Sequence, residues 1–435
     1  MWSGCAIGLN TSNPVIYAEK GNKMKFIHAA DLHLDSPFQG LHNESLPTPL
    51  WEQIRQSTFT SFQRIVDGAI DQNVDFVLLA GDLFDRQEHS VSARVFLIQQ
   101  LQRLADAKIP VLIIFGNHDY YSGDIKQLGY PDNTTVFGNQ VETKKIQLTN
   151  GQVVAITGFS FQNQWVNEPM INDYPNAVAA DWNIGMLHGS LAGLDSPEAN
   201  YAPFTLKQLQ SKNYDYWALG HIHKRQSLDD KGLINYSGNT QGRHINETGE
   251  KGYLLVQSTG HELTTAFQPT SPIVWEVVAM KITDKSVDNL ANSIMNALSK
   301  QHYSKLHFIR IRLTADQAIP DTILESLASG DLLTAVQQMN TGSWQQLNTW
   351  VTSIKAAAGS QRIISSLDQS FFDEAKQQTL TPEQLDRLTQ QSLDKYPFIK
   401  ADLATRDSQQ DIFEQTTAIL QRHVSGPEDE EASQK

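Results

Sequence analysis

Five short apolar runs in this chain each close on an acid, an amide or an imidazole, and that repetition limits the folds open to it. "KFIHAA" (25–30) leads into "DLH", "VDFVLLA" (74–80) into "GDLFD", and "PVLIIF" (110–115) into "GNHD". "WNIGMLH" (182–188) ends on His188, and "YDYWALG" (214–220) opens onto "HIH". A buried strand needs no acid at its tip, and an unpaired buried carboxylate is costly. Between the runs lie helical patterns. Ile54, Phe62, Ile65, Val66, Ala69 and Ile70 recur at helical spacing, and Leu97, Ile98, Leu101, Leu104 and Ala105 share one helical face. Strand and helix in alternation predict an α/β fold, a sheet with parallel members and helices on its faces. Ligands of such sheets bind beyond the carboxyl ends of the strands.

The residues at those ends are Asp31, His33, Asp82, Asn117, His188, His221 and His223. Oxygen and imidazole donors without thiolate suit Mn, Fe, Zn or Mg. The one-residue gap in "DLH" puts Asp31 and His33 on one side of an extended segment, where they can grip a single ion. His221 and His223 can grip one ion or straddle two. A carboxylate such as Asp82 can bridge two ions about 3.5–4 Å apart. Seven donors are too many for one tetrahedral zinc and fit a two-metal site with positions open to water and substrate. Taken singly, each motif has a plainer reading as a turn or helix cap, since Asp, Asn and Gly favour those places. At successive strand ends that reading fails for the set.

The series "DLH…GDLFD…GNHD…H…GHIH" resembles the calcineurin-like metallophosphoesterase superfamily, all five motifs in order over roughly 190 residues. The longer phrases "FIHAADLHLDSPF", "YAPFTLKQL", "DYWALGHIHK" and "GNTQGRHINETGEKG" are similar to SbcD-like DNA repair exonucleases of the YhaO-type branch. The resemblance implies β-sheets sandwiched between flanking helices. It implies two divalent ions, manganese first among them. One would be held by Asp31, His33 and His223, the other by Asn117, His188 and His221, with Asp82 bridging. It further implies hydroxide attack on a DNA phosphodiester, His118 assisting the leaving oxygen, and Asp85 orienting His118. Arg86 is carried over as a phosphate contact. Arg243, in the glycine-rich stretch 237–252, is placed to clamp a phosphate, although a plain connecting loop is the alternative. A phosphomonoesterase, a cyclic-nucleotide phosphodiesterase and a non-catalytic scaffold stand as other readings.

Composition narrows the setting. At 435 residues two or three domains are expected. A net charge of −14 supplies no general electrostatic grip on nucleic acid, so contact with DNA would come from local patches, bound metal or a partner. The apolar runs fall far short of the ~20 residues that cross a bilayer. Cys5 is the single cysteine, which excludes an intrachain disulfide and accords with a cytoplasmic protein. Residues 1–23 form a poor signal peptide and read as a disordered extension ahead of Met24. The catalytic domain is expected over 24–270, closed by a linker in "FQPTSPIV" (267–274). Two strands with an amphipathic helix between them predict a small β-α-β unit over 273–330, resembling the family's capping domain. Residues 331–425 read as helical and 426–435 as an acidic tail. In the family, C-terminal helices dock on an SMC-like ATPase, and homodimers are common, but no stripe here marks a dimer interface.

Overall fold

In the computed structural model residues 23–357 are described, apart from 39–40, 42–45, 88–89, 124, 193–200, 284–285 and 316–318; Arg387 is described as well. The extension 1–22, the docking region from 358 onward (Arg387 aside) and the acidic tail lie outside the described residues.

The chain begins with β1 (Lys25–Ala29), α1 (Thr48–Asp71), β2 (Phe76–Ala80), α2 (Val91–Asp106), β3 (Val111–Ile114) and β4 (Thr134–Val136). It continues through β5 (Glu142–Gln147), β6 (Val153–Gly158), β7 (Trp182–His188), α3 (Leu206–Ser211) and β8 (Tyr216–Gly220). Next come β9 (Gln226–Ser227), β10 (Ile234–Tyr236), β11 (Gly252–Thr259) and β12 (Glu262–Pro269). These strands form two six-stranded sheets, ordered β12-β11-β1-β2-β3-β4 and β5-β6-β7-β8-β10-β9. Strand–helix alternation implied a sheet with parallel members and the family resemblance implied sandwiched β-sheets; the molecule builds two six-stranded sheets and packs them face to face.

Alternation explains the layers. Phe26, Leu78, Leu112 and Ile114 of the first sheet meet Ile156, Ile184, Met186 and Tyr216 of the second in one core. The opposite faces bury other sets. Ile27, Val77, Leu79, Val111 and Ile113 pack under α1 and α2, and Leu187, Trp217, Leu219 and Tyr236 pack under the loops and α3. Strands buried on both faces read as unbroken apolar runs. Within the first sheet β1, β2, β3 and β4 are parallel, and within the second β6, β7, β8 and β10 are parallel. Their carboxyl ends therefore collect at one edge of the sandwich.

A third sheet follows. It comprises β13 (Ile273–Lys281), α4 (Val287–Leu298), β14 (Leu306–Thr314), α5 (Asp321–Ser329), α6 (Asp331–Thr341), α7 (Trp344–Leu347) and β15 (Thr349–Ala356). All three strands are parallel, in the order β13-β14-β15. The third strand lies within the stretch expected to be helical, so the small unit runs past residue 330. Trp350 and Val351 are buried there, and β-branched Thr349, Val351, Thr352 and Ile354 suit a pleated surface. Nor is "FQPTSPIV" a loose linker: Thr270 and Ser271 are buried, and their amides donate to the Lys251 carbonyl. His307 is half-buried and stacks on Tyr303 with ring centroids 3.8 Å apart. No helix among the described residues is long and apolar enough to cross a membrane.

His28 is structural, as its place inside a strand suggested. Its Nε2–H donates to the Leu219 carbonyl (3.1 Å) and its Nδ1 accepts from the Tyr216 hydroxyl (3.0 Å), tying the two sheets together. Burial pushes its pKa down to about 3. The folded state thus refuses a proton that the unfolded state accepts near pH 6.5, so stability present above that pH is lost as pH falls. Between pH 7 and pH 5 this one group removes about 2 kcal/mol. In urea titrations of the metal-free protein, His28→Gln is expected to shrink the loss of stability across that interval by about that amount; an unchanged loss would refute the assignment.

Candidate metal centre

The apolar ends of β1, β2, β3, β7 and β8 deliver the donors, and glycine makes the approach close enough. Gly81, Gly116 and Gly220 stand at the ends of β2, β3 and β8. A Cβ on Gly116 would collide with Asp82 Oδ1, and one on Gly220 with the Ala80 carbonyl. The donors themselves sit in strained backbone. Asp31 (φ +52°), His33 (+42°), Asp82 (+52°) and His221 (+98°) all occupy the left-handed region, which a non-glycine residue enters at a cost of roughly 1–3 kcal/mol. Four strained donors in one cluster mark a site whose geometry is imposed by the surrounding fold.

Asp31, His33 and His223 form one group and Asp82, His188 and His221 a second, each with its donor atoms within 4.8 Å of one another. Asp82 lies between them, its Oδ2 3.4 Å from His188 Nε2 and 3.9 Å from His33 Nε2. Asn117 joins the second group, its Oδ1 3.0 Å from His188 Nε2 and 3.1 Å from His221 Nδ1. The structure thus brings all seven expected donors together. Carbonyls and carboxylates fix the tautomers. His188 donates Nδ1–H to the Ala80 carbonyl (3.0 Å), and His223 donates Nδ1–H to Glu247 Oε1 (2.6 Å), so each turns Nε2 inward.

Charge balance follows from this crowding. Burial and the Asp82 charge act against each other on His188, and the carboxylate wins, raising the imidazole to about 9. Burial would lift Asp82, but His188 and His118 outweigh it and hold the carboxylate well below its usual range. Asp31 is raised by burial against the pull of His188 and His223. Burial and the neighbouring Arg243 push His33 well down, and burial with His188 takes His221 to about 3.

The protein alone leaves this cluster poorly satisfied. His33 Nε2 and His223 Nε2 face each other at 2.9 Å, while buried His33 Nδ1 and His221 Nε2 have no hydrogen-bond partner among the described residues. Converging imidazole lone pairs, two buried carboxylates and an amide oxygen fit divalent cations. Asp31, His33 and His223 would hold one ion and Asn117, His188 and His221 the other, with Asp82 shared.

Two expected roles come out differently. The carboxylate of Asp85 does not orient His118; its backbone carbonyl does, accepting Nδ1–H at 2.7 Å. Asp85 Oδ1 instead accepts from Arg243 Nη1. Arg243 is accordingly a half-buried ion-pair partner rather than a free phosphate clamp. Arg86 is mostly exposed and lies 3.8 Å from Asp85 Oδ2.

Two supporting residues escaped the sequence reading. Glu247 accepts from His223, from Asn239 Nδ2 (2.9 Å) and from the Arg243 amide (2.6 Å). Burial opposes its charge, but His223 and Arg243 hold it ionised. Asp119 accepts from the Gly116 and Leu83 amides at 2.7 and 2.6 Å, locking two donor loops together. Only its place directly after "GNH" could have signalled it.

Comparison with known proteins agrees with this geometry. Residues 24–225 match the calcineurin-like phosphoesterase family. The chain is 35% identical over 411 residues to an uncharacterized metallophosphoesterase, YhaO, of Bacillus subtilis (strain 168), covering 92% of this chain and 98% of that protein. The chain belongs to the calcineurin-like metallophosphoesterase family. It is therefore a metal-dependent hydrolase, and its family is built around a dimetal centre. This metallophosphoesterase is also similar to the DNA double-strand break repair protein Mre11 of Methanocaldococcus jannaschii, with 27% identity covering 64% of this chain and 75% of that one. The Mre11 of Archaeoglobus fulgidus is 28% identical, covering 64% and 66% respectively.

Proposed function

We propose that this metallophosphoesterase is a two-metal phosphodiesterase that cleaves DNA, with manganese as its working ion. The meeting of two donor groups at Asp82 carries the two-metal reading. The relatives named as DNA break repair proteins support the choice of substrate. When bound, the two cations would supply an acidified water and neutralise charge on the phosphoryl oxygens.

The chain's own residues do the rest. His118 Nδ1–H is committed to the Asp85 carbonyl, which leaves Nε2 to carry a proton toward the leaving oxygen. The Arg243–Asp85 ion pair pins the loop that supplies that carbonyl, and the Glu247–His223 hydrogen bond keeps the imidazole aimed inward.

End-labelled duplex and single-stranded DNA, incubated with manganese, magnesium, iron, zinc or EDTA beside p-nitrophenyl phosphate, separates this reading from its rivals. Cleavage of DNA that EDTA abolishes and manganese supports best is the expected result. Hydrolysis of p-nitrophenyl phosphate with no DNA cut in any metal would make the protein a phosphomonoesterase.

A further inference from the structure

Two aromatic residues that take no part in metal binding lead from solvent to the metal centre. Trp165 lies in the loop after β6, and Tyr201 lies between β7 and α3. Their rings are stacked, with centroids 5.1 Å apart and planes inclined by 19°. Tyr201 in turn lies against His221, with ring centroids at 4.8 Å. Tyr201 is buried, whereas Trp165 is 60% exposed. The other large apolar side chains left exposed among the described residues are valines and a methionine. One face of the indole is covered by Tyr201, so its exposure belongs to the opposite face and the edge.

The step is held firmly. The Tyr201 carbonyl accepts from the Ser190 amide (2.8 Å), two residues past the donor His188. The Ala202 amide donates to the Val166 carbonyl (2.6 Å), next to Trp165. Gly189 lets the two loops touch, because a Cβ there would press on the Tyr201 and Ala202 carbonyls. An indole needed only for packing would be buried. A rigid indole with an open face, one ring removed from a metal-ligating imidazole, is suited to a flat partner.

We propose that Trp165, backed by Tyr201, is a stacking platform for a nucleobase of the substrate strand next to the scissile phosphate. This rests on the DNA-cleaving reading and adds where the base is gripped. Every base has a π-face, so the platform tolerates any sequence, and it selects a nucleotide chain over a simple phosphate ester. It also supplies attraction that does not depend on charge, in a protein of net charge −14.

The test uses the full chain and an oligonucleotide carrying either a base or an abasic tetrahydrofuran unit beside the cleaved bond. Trp165→Ala is expected to raise KM for the base-containing strand about 5- to 150-fold. Trp165→Phe should recover most of that loss. Wild type should lose the same factor on the abasic strand, and Trp165→Ala should lose nothing more there. A second readout needs no turnover: 2-aminopurine at the same position, titrated with metal-free protein, should be quenched by wild type and not by Trp165→Ala. Equal KM for wild type and Trp165→Ala, or quenching that survives the substitution, overturns the platform. A wild type that cleaves no DNA in any metal defeats the functional reading instead, and the quenching titration then still decides whether Trp165 stacks on a base.

Discussion

His118→Ala is expected to lower kcat on DNA by ~10²–10⁴ while both metals stay bound and KM shifts little. The imidazole is outside both donor groups, so its removal takes no metal ligand away. Its hydrogen bonds are with the loop after β2: its amide donates to Asp82 Oδ1 at 3.0 Å and its Nδ1–H to the Asp85 carbonyl at 2.7 Å. The first bond survives the substitution because it belongs to the backbone. What disappears is Nε2, the ring nitrogen proposed to pass a proton to the leaving oxygen. A substrate with a good leaving group, such as a p-nitrophenyl phosphodiester, needs that proton less, so its rate should fall by a smaller factor. Metal content by mass spectrometry and rates on both substrates check the expectation. Loss of bound metal in His118→Ala would show instead that the imidazole belongs to the coordination sphere.

Asp82→Ala has the larger reach. Asp82 is the carboxylate that stands between the two groups, and its charge holds His188 protonated in the metal-free protein. Without it each group keeps only its own donors. Bound manganese should fall below two per chain, and hydrolysis of every substrate should drop by at least ~10³, since shared-metal charge stabilisation is worth several kcal/mol. Metal-free wild type and variant should both remain folded by circular dichroism. Titration calorimetry with manganese is the deciding measurement. Two tight ions in Asp82→Ala would mean that the donor groups do not meet at this residue.

These expectations rest on features that differed in how far they could be read in advance. The run "WNIGMLH" matches β7 over its whole length, because a strand buried on both faces is apolar throughout and stops where a polar donor begins. The seven donors were legible for the same reason. The site's supports were not. Glu247 lies 24 residues beyond His223 in a loop whose charges look like solvated surface, and nothing local says that His223 Nδ1 will meet it. Asp85 looked like an orienting acid, yet a half-buried guanidinium 158 residues away claims its carboxylate. The strand Thr349–Ala356 sat in Gln-rich surroundings whose helical pattern masked its β-branched residues.

Local chemistry along the chain was enough to state which side chains could offer metal donors, since donor type and strand-end position are properties of a few adjacent residues. Only the packed molecule could decide how closely those ends approach one another. It also decided which partners fix each imidazole and where an indole is left facing water beside them. Such pairings join segments from 24 residues (Glu247 with His223) to 158 residues (Arg243 with Asp85) apart, and their energies depend on burial and distance, which no short stretch of sequence encodes.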